Sequence, residues 1–159
     1  MNLIAGKVRQ TTWPEGRTVK AGCCMADLEH ARSMLRMAHK DFNALVGMQE
    51  NPLFADEIFG FHVQQAVEKA LKAWLCTCDA IYPMTHELTR LLALLENQSA
   101  DVEKFWPLVQ YTLFAVQARY DEGVTDLDEP IDRAVEVENV RELLAHVELM
   151  IAAQGMTDG

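Results

Sequence analysis

Residues 61–73 constrain the fold more than any other segment, because they combine a helical hydrophobic pattern with two adjacent glutamines. Apolar side chains surround Gln64 and Gln65 on most sides of such a helix, at Phe59, Phe61, Val63, Val67, Leu71 and Trp74. Polar groups in this setting are nearly buried and need hydrogen-bonding partners within the protein. The segment therefore predicts a central helix, from about Leu53 to Cys78, that other helices surround.

The composition favours a single helical domain. Half of the 159 residues are hydrophobic, which is enough for a sizeable core, and only 8 glycines and 5 prolines interrupt the chain. The formal net charge of -10 repels phosphate backbones at long range, so a broad nucleic-acid-binding surface is not expected. No apolar run reaches the roughly 18 residues that span a bilayer, and no secretory signal opens the chain. We therefore expect a cytoplasmic protein.

The two ends of the chain differ from its centre. Residues 1–24 lack a sustained apolar period and are expected to form a weakly ordered basic leader, with Lys7, Arg9, Arg17 and Lys20 against Glu15. Met25 begins the first convincing helical pattern and is an alternative initiator. The helical domain is expected over 25–154, and 155–159 as a flexible tail.

The four cysteines form two close pairs, Cys23-Cys24 and Cys76-x-Cys78. Neither pair has the two-residue gap that is typical of zinc sites and redox dithiols. We expect reduced, inert thiols and predict no metal and no cofactor.

Hydrophobic periodicity predicts an all-α fold, an up-and-down antiparallel bundle of four to five helices. The first three helices are expected at about 27–46, 53–78 and 86–97. Their expected caps and stops are Asp27, Gly47, the pair Asn51-Pro52, and Thr85.

The last two helices are expected on either side of a polar loop at 121–129. Asp101 can cap the fourth, in which Pro107 predicts a kink or a later start. The expected inner face of the fourth helix is Val102, Phe105, Val109, Leu113 and Val116. That of the fifth, which follows Pro130, is Ile131, Val135, Val140, Leu144, Val147 and Ile151.

Four pieces of the chain, in order, resemble the HEPN domain family (higher eukaryotes and prokaryotes nucleotide-binding domains), over about Ala26 to Ile151. They are Asp27-Leu28-x3-Arg32-x2-Leu35-x2-Ala38, Phe61-His62-x-Gln64-Gln65-Ala66-x-Glu68-Lys69-x2-Lys72-Ala73, Thr85-His86-Glu87-Leu88 and Ala118-Arg119-Tyr120. The family's usual Arg-Tyr-Pro is Arg119-Tyr120-Asp121 here. The resemblance implies a helical bundle that usually dimerises, and a minimal nucleotidyltransferase as a partner protein.

The family's nuclease branch uses an arginine and a histidine near the start of a late helix, a motif that is not clearly present here. Arg141 and His146 are the weak catalytic candidates, since histidine can move a proton and arginine can steady a phosphate. Five positions on a helix correspond to about 140° of rotation, so these two side chains are not expected to share a face. A second nominal pair, Arg32 and His39, falls on a solvated stripe of the first helix.

A polar stripe on the central helix is the better candidate for binding. His62, Gln65, Glu68 and Lys72 follow three- and four-residue steps, with Lys69 beside them. The stripe is either a hydrogen-bonded seam between helices or subunits, or a pocket for a nucleotide or another anion, with Lys69 or Lys72 as the cation. We favour the seam, because Glu68 can neutralise a lysine.

Four further residues are candidates for contact with a phosphate or another small anion: Thr85, His86, Arg119 and Tyr120. A helix N-terminus favours anions near Thr85 and His86, although capping explains both residues more simply. Arg119 and Tyr120 end the fourth predicted helix, where a cation also complements the helix dipole.

These observations together predict a non-catalytic module that dimerises and binds a partner protein such as a minimal nucleotidyltransferase, in a toxin–antitoxin-type or nucleotide-handling system. Two alternatives stay open. One is a metal-independent ribonuclease, a toxin for which RNA is the substrate and in which Arg141 and His146 are supplied across a dimer. The other is a domain that binds a nucleotide or a small anion.

Overall fold

The computed structural model describes residues 24–115 and 130–157, which form four α-helices and one 3₁₀ helix. The four α-helices are α1 (Cys24–Met48), α2 (Asp56–Thr77), α3 (Leu88–Asn97) and α4 (Arg133–Thr157). The 3₁₀ helix spans Glu103–Ala115 and precedes α4. These two ranges contain no β-strand. The predicted all-α class is confirmed.

Contacts at well-separated points define the direction of α4 relative to its neighbours. His39 Nε2 on α1 lies 2.7 Å from Glu148 Oε1 on α4. Near the other end of α1, the Met48 carbonyl accepts a hydrogen bond of 2.9 Å from Arg133, the first residue of α4. The residue numbers fall on α1 as they rise on α4, so the two helices are antiparallel.

Helix α2 lies at the centre of the bundle, as predicted. It contacts α1, α3, α4 and the 3₁₀ helix, and 15 of its 22 residues are buried. Asp56 at its start pairs with Arg133 on α4, and Thr77 at its end accepts a hydrogen bond from Gln154 on α4. Helices α2 and α4 therefore run parallel, and α1 runs antiparallel to both.

The predicted boundaries of α1 require two corrections. The helix begins at Cys24, so Asp27 lies inside it and is not its N-cap. It also continues past Gly47 to Met48. Helical glycine costs only about 1 kcal/mol relative to alanine, which the surrounding packing can overcome.

Asn51 and Thr85 cap turns that precede the next two helices. Asn51 Oδ1 accepts a hydrogen bond from the backbone N–H of Leu53 at 3.0 Å, and Thr85 Oγ1 accepts one from that of Glu87 at 3.1 Å. Asparagine and threonine side chains often close such turns two residues along the chain. Helix α2 consequently starts at Asp56, about three residues later than predicted, and α3 starts at Leu88.

The fourth helical segment is a 3₁₀ helix, and its buried residues repeat every three positions. Proline lacks the N–H of an α-helical hydrogen bond and clashes with the carbonyl four residues earlier, so Pro107 disfavours an α-helix here. The predicted face with α-helical spacing is wrong at Leu113, which is 53% exposed. Val109 is partly buried against the core, and Val116 lies outside the described residues. The buried side chains with this spacing, before and along the helix, are Val102, Phe105, Leu108, Tyr111 and Phe114, and Ala115 at its end is also buried.

Helix α4 starts at Arg133, after Asp132, whose Oδ1 accepts a hydrogen bond from the backbone N–H of Val135 at 3.2 Å. Val135 is 51% exposed, so its predicted place in the core is wrong, and Val137 is buried instead. In the parts of the chain that the structure describes, no helix has the length and apolarity to cross a membrane.

Candidate functional site

Glu68 lies at the centre of a buried hydrogen-bond cluster on α2. Its Oε1 accepts a hydrogen bond of 2.6 Å from Lys72 Nζ, one helical turn later. Its Oε2 accepts one of 2.7 Å from Gln64 Nε2 and lies 3.0 Å from His86 Nδ1, just before α3. One carboxylate thus links two turns of the central helix to the segment that precedes α3.

Opposing effects act on the pKa of Glu68. Burial is the largest effect and by itself raises the pKa. The hydrogen bonds from Lys72, Gln64 and His86 together outweigh burial and hold the pKa of Glu68 below its ordinary value. The carboxylate is therefore ionised at neutral pH and neutralises Lys72 at short range.

The adjacent glutamines that mark this helix in the sequence extend the cluster. Gln64 is fully buried, and its Nε2 also donates to the His86 backbone carbonyl at 3.3 Å. Gln65 is partly buried and donates from Nε2 to Gln64 Oε1 at 2.7 Å. The predicted need of these amides for protein partners is confirmed.

Asp41 on α1 forms a second acidic centre that sequence reasoning missed. Its Oδ2 accepts a hydrogen bond of 2.5 Å from Lys69 Nζ, and its Oδ1 lies 3.0 Å from His62 Nδ1. The Asp41 side chain is only 13% exposed. The predicted stripe thus divides in two, because His62 and Lys69 face α1 whereas Glu68 and Lys72 face the segment before α3.

An aromatic side chain covers the Glu68 cluster on one side. Lys72 Nζ lies 5.5 Å from the centroid of the Tyr82 ring. The Tyr82 hydroxyl lies 2.6 Å from His30 Nε2 on α1. Burial, together with the nearby Cys76 and Glu68, raises the pKa of Tyr82 to about 12. Tyr82 is therefore a neutral phenol at physiological pH.

The two weak catalytic candidates, Arg141 and His146, lie on different sides of α4. Arg141 pairs with Glu138 at 2.5 Å, and its guanidinium carbon lies 5.4 Å from the ring centroid of Phe42 on α1. The His146 ring lies 4.3 Å from that of Trp74 on α2, between centroids. The expectation that the two do not share a helix face is confirmed.

His146 contacts two aromatic rings. Its ring centroid lies 5.8 Å from that of Phe105, in addition to the contact with Trp74. The Nε2 atom is buried and has no hydrogen-bond partner among the described residues. Burial is the main effect that lowers the pKa of His146, and Lys104 lowers it further while Asp101 raises it. A neutral imidazole is therefore favoured at this position.

The second nominal pair is part of the exposed surface. Arg32 Nη1 donates to Glu29 at 2.8 Å on the same helix, whereas His39 pairs with Glu148 on α4. This arrangement agrees with the expected solvated stripe.

Arg119 and Tyr120 lie outside the residues that the structure describes. Their predicted contact with a phosphate beside Thr85 and His86 stays a prediction.

Arg133 makes more hydrogen bonds than any other residue that sequence reasoning missed. Its guanidinium donates to the backbone carbonyls of Met48, Asn51 and Phe54 at 2.9, 3.1 and 2.5 Å. It also donates to Asp56 Oδ1 from Nε at 3.0 Å and from Nη2 at 2.7 Å. Three of the four acceptor groups are backbone carbonyls, which no side-chain pattern reveals. Arg133 fastens the α1–α2 loop to the start of α4.

The described residues contain no group of three or more His, Cys, Asp or Glu side chains that could hold a metal ion. Burial raises the pKa of the Cys78 thiol, which disfavours the reactive thiolate.

In the comparison with protein families, the family described as HEPN domain aligns with residues 31–155. The match covers more than half of the chain and includes most of α1, all of α2, α3 and the 3₁₀ helix, and nearly all of α4. Comparison with curated proteins and with solved structures gives no match.

Proposed function

This chain belongs to the HEPN domain family, and on that premise we propose that it is a non-catalytic helical module that dimerises and binds a partner protein. A minimal nucleotidyltransferase is the proposed partner. The system in which they act is of the toxin–antitoxin or nucleotide-handling type, in the cytoplasm.

The observation that carries this proposal is the internal neutralisation of the lysines on α2. Lys72 pairs with Glu68 and Lys69 pairs with Asp41, and all four side chains are at most 18% exposed. A buried lysine held by a carboxylate is not available to a nucleotide unless the pair is broken, which costs several kcal/mol. The polar stripe therefore supports a role in holding the bundle together.

The surroundings of Arg141 and His146 also favour a non-catalytic module. Metal-independent RNA cleavage needs a histidine and an arginine that converge on one phosphodiester. Arg141 packs on Phe42, whereas His146 packs against Trp74. The net charge of -10 adds long-range repulsion toward RNA.

Co-expression with the product of an adjacent nucleotidyltransferase gene tests the proposal. We expect the two purified proteins to elute as one complex in size-exclusion chromatography, and the chain alone to elute as a dimer. Separate elution of the two proteins at all concentrations would contradict partner binding.

RNA cleavage that is lost in His146→Ala and retained in His39→Ala would contradict the non-catalytic role and establish the ribonuclease.

Binding of a small anion beside His86 is a second candidate function. The His86 side chain is 65% exposed, although its Nδ1 is anchored to the buried Glu68. Thermal stabilisation by ATP that is absent in His86→Ala would support this candidate. Lys40→Ala, which removes an exposed cation from α1, is the control and should retain the effect.

A further inference from the structure

Exposed large hydrophobic side chains are concentrated at one end of the bundle. The described residues contain ten of them, and six lie where α1 and the 3₁₀ helix end and where α2 and α4 begin. We call these six the apolar end surface: Val46, Leu53, Phe54, Ile58, Leu113 and Val135. Leu53 is 90% exposed and the others 40–53%. Leu53, Phe54 and Ile58 lie close together along the chain, and contiguous exposed apolar groups typically mark a protein-binding surface.

The loop that carries Leu53 and Phe54 is held in one conformation. Arg133 donates to the carbonyls of Asn51 and Phe54 in this loop and to Asp56 directly after it. Asn51 Oδ1 accepts from the N–H of Leu53, and the Asn51 carbonyl accepts from that of Phe54 at 3.3 Å. A hydrophobic side chain on a backbone that is already ordered loses less entropy when it binds a partner.

Acidic residues accompany this surface. Residues 49–58 and 130–137 contain five carboxylates and a single basic residue, Arg133. That arginine is only 16% exposed and is engaged in the loop contacts. The carboxylates belong to Glu50, Asp56, Glu57, Asp132 and Glu136.

The negative charge of this surface distinguishes between two kinds of binding partner, a second copy of the chain and a segment of another protein. In a symmetric dimer through this surface, each copy would bring its acidic residues against those of the other, which is unfavourable. A segment with lysine or arginine next to its apolar side chains would satisfy both features of the surface.

We propose that the apolar end surface binds a segment of a partner protein in which apolar side chains are flanked by lysine or arginine. This inference rests on the proposed function, since it identifies where the partner of the module binds and what chemistry the partner presents. Leu53 and Phe54 are its anchors.

A synthetic amphipathic helix of leucine and lysine, about 14 residues or four turns long, is the probe. A matched peptide of leucine and glutamate is its control. We expect the lysine peptide to shift the NMR signals of residues 46–58 and 130–137, and high salt to weaken its binding. The glutamate peptide should bind at least tenfold more weakly.

Two variants locate the binding site. Leu53→Ser should weaken binding of the lysine peptide at least tenfold, whereas Met84→Ser should not change it. Met84 is 94% exposed and lies in the loop between α2 and α3, so it is the matched control. Both substitutions leave the charge unchanged and remove no packing, so the melting temperatures should equal that of the wild type.

Four results would overturn the inference. They are no binding of the lysine peptide, equal binding of both peptides, equal effects of the two variants, and an apolar end surface whose residues are already protected from amide exchange in the isolated chain. Protection that rises with protein concentration would assign the surface to a second copy, and protection independent of concentration to the chain itself. If the lysine peptide binds as expected but the nucleotidyltransferase does not bind the wild type, the proposed partner is wrong while the surface stands.

Discussion

His146 combines a buried imidazole nitrogen with a lowered pKa, and this combination makes stability depend on pH. The unfolded chain takes up a proton near the ordinary histidine pKa of 6.5, whereas the folded chain does so only at a lower pH. The contribution of the neutral His146 imidazole to folding stability is fully present above about pH 6.5 and decreases as pH falls toward the folded-state pKa. We expect His146→Phe to flatten the dependence of the melting temperature on pH between about 7.5 and 5.5.

His39→Gln is the matched control for this prediction. The side chain of His39 is 39% exposed and pairs with Glu148, so its replacement removes a histidine but keeps the one whose Nε2 is buried. We expect this variant to keep the wild-type slope between the same two pH values. Equal slopes for His146→Phe and the wild type would show that His146 does not control the acid response.

Substitutions of Glu68 and Lys72 test whether the stability of the polar cluster depends mainly on charge or on packing. Glu68→Leu leaves Lys72, whose side chain is 10% exposed, without its carboxylate, and should cost about 3–5 kcal/mol in urea unfolding. Glu68→Leu with Lys72→Met removes both charges and should be less destabilised than the single variant. A double variant as unstable as Glu68→Leu would assign the loss to the hydrogen bonds of Gln64 and His86.

At the scale of elements, Gly60 determines how closely α2 and the 3₁₀ helix approach. A Cβ at this position would lie 2.6–2.8 Å from three ring atoms of Phe114, which is itself buried. Gly60→Ala should therefore lower the free energy of unfolding by about 1–3 kcal/mol. Combining it with Phe114→Leu should recover part of the loss, because the two side chains contact each other.

Gly47 is the control for the same substitution. It also lies within a helix, but no atom lies within 4 Å of a Cβ built there. Gly47→Ala should raise the free energy of unfolding by about 0.5–1 kcal/mol, the ordinary helix-propensity gain. Equal effects of the two substitutions would show that the contact with Phe114 does not limit the approach of the helices.

The sequence predicts individual elements well where only local rules apply. Four leucines on α3 have α-helical spacing, and all of them are buried. The 3₁₀ helix escapes prediction because Val102 and Phe105 fit a period of three and one of 3.6 equally well. The two patterns separate only after Pro107, where Leu108 enters the core and Leu113 faces solvent.

The candidate site is predictable in part for the same reason. Helical spacing identifies the polar residues on α2, including the pair Glu68 and Lys72, which lies within one helix. Asp41 is the partner of His62 and Lys69 from α1, and only the packing of the two helices reveals it. Long-range partners of this kind depend on the rotation and register of whole helices.

At the scale of the whole molecule, Arg133 connects the end of α1, the following loop, the start of α2 and the start of α4. Arg133→Lys keeps the charge, but an ammonium group cannot reproduce the fork of five hydrogen bonds to Met48, Asn51, Phe54 and Asp56. We expect a loss of about 1.5–3 kcal/mol and faster amide exchange at Leu53 and Phe54. Arg141→Lys, which alters the exposed pair with Glu138 and the contact of the guanidinium with Phe42, should change stability by less than about 1 kcal/mol and leave exchange in the loop unchanged.

If the apolar end surface depends on an ordered loop, Arg133→Lys should also weaken binding of the lysine peptide, even though all six apolar side chains are retained. Unchanged exchange together with weakened binding would contradict this role of the ordered loop.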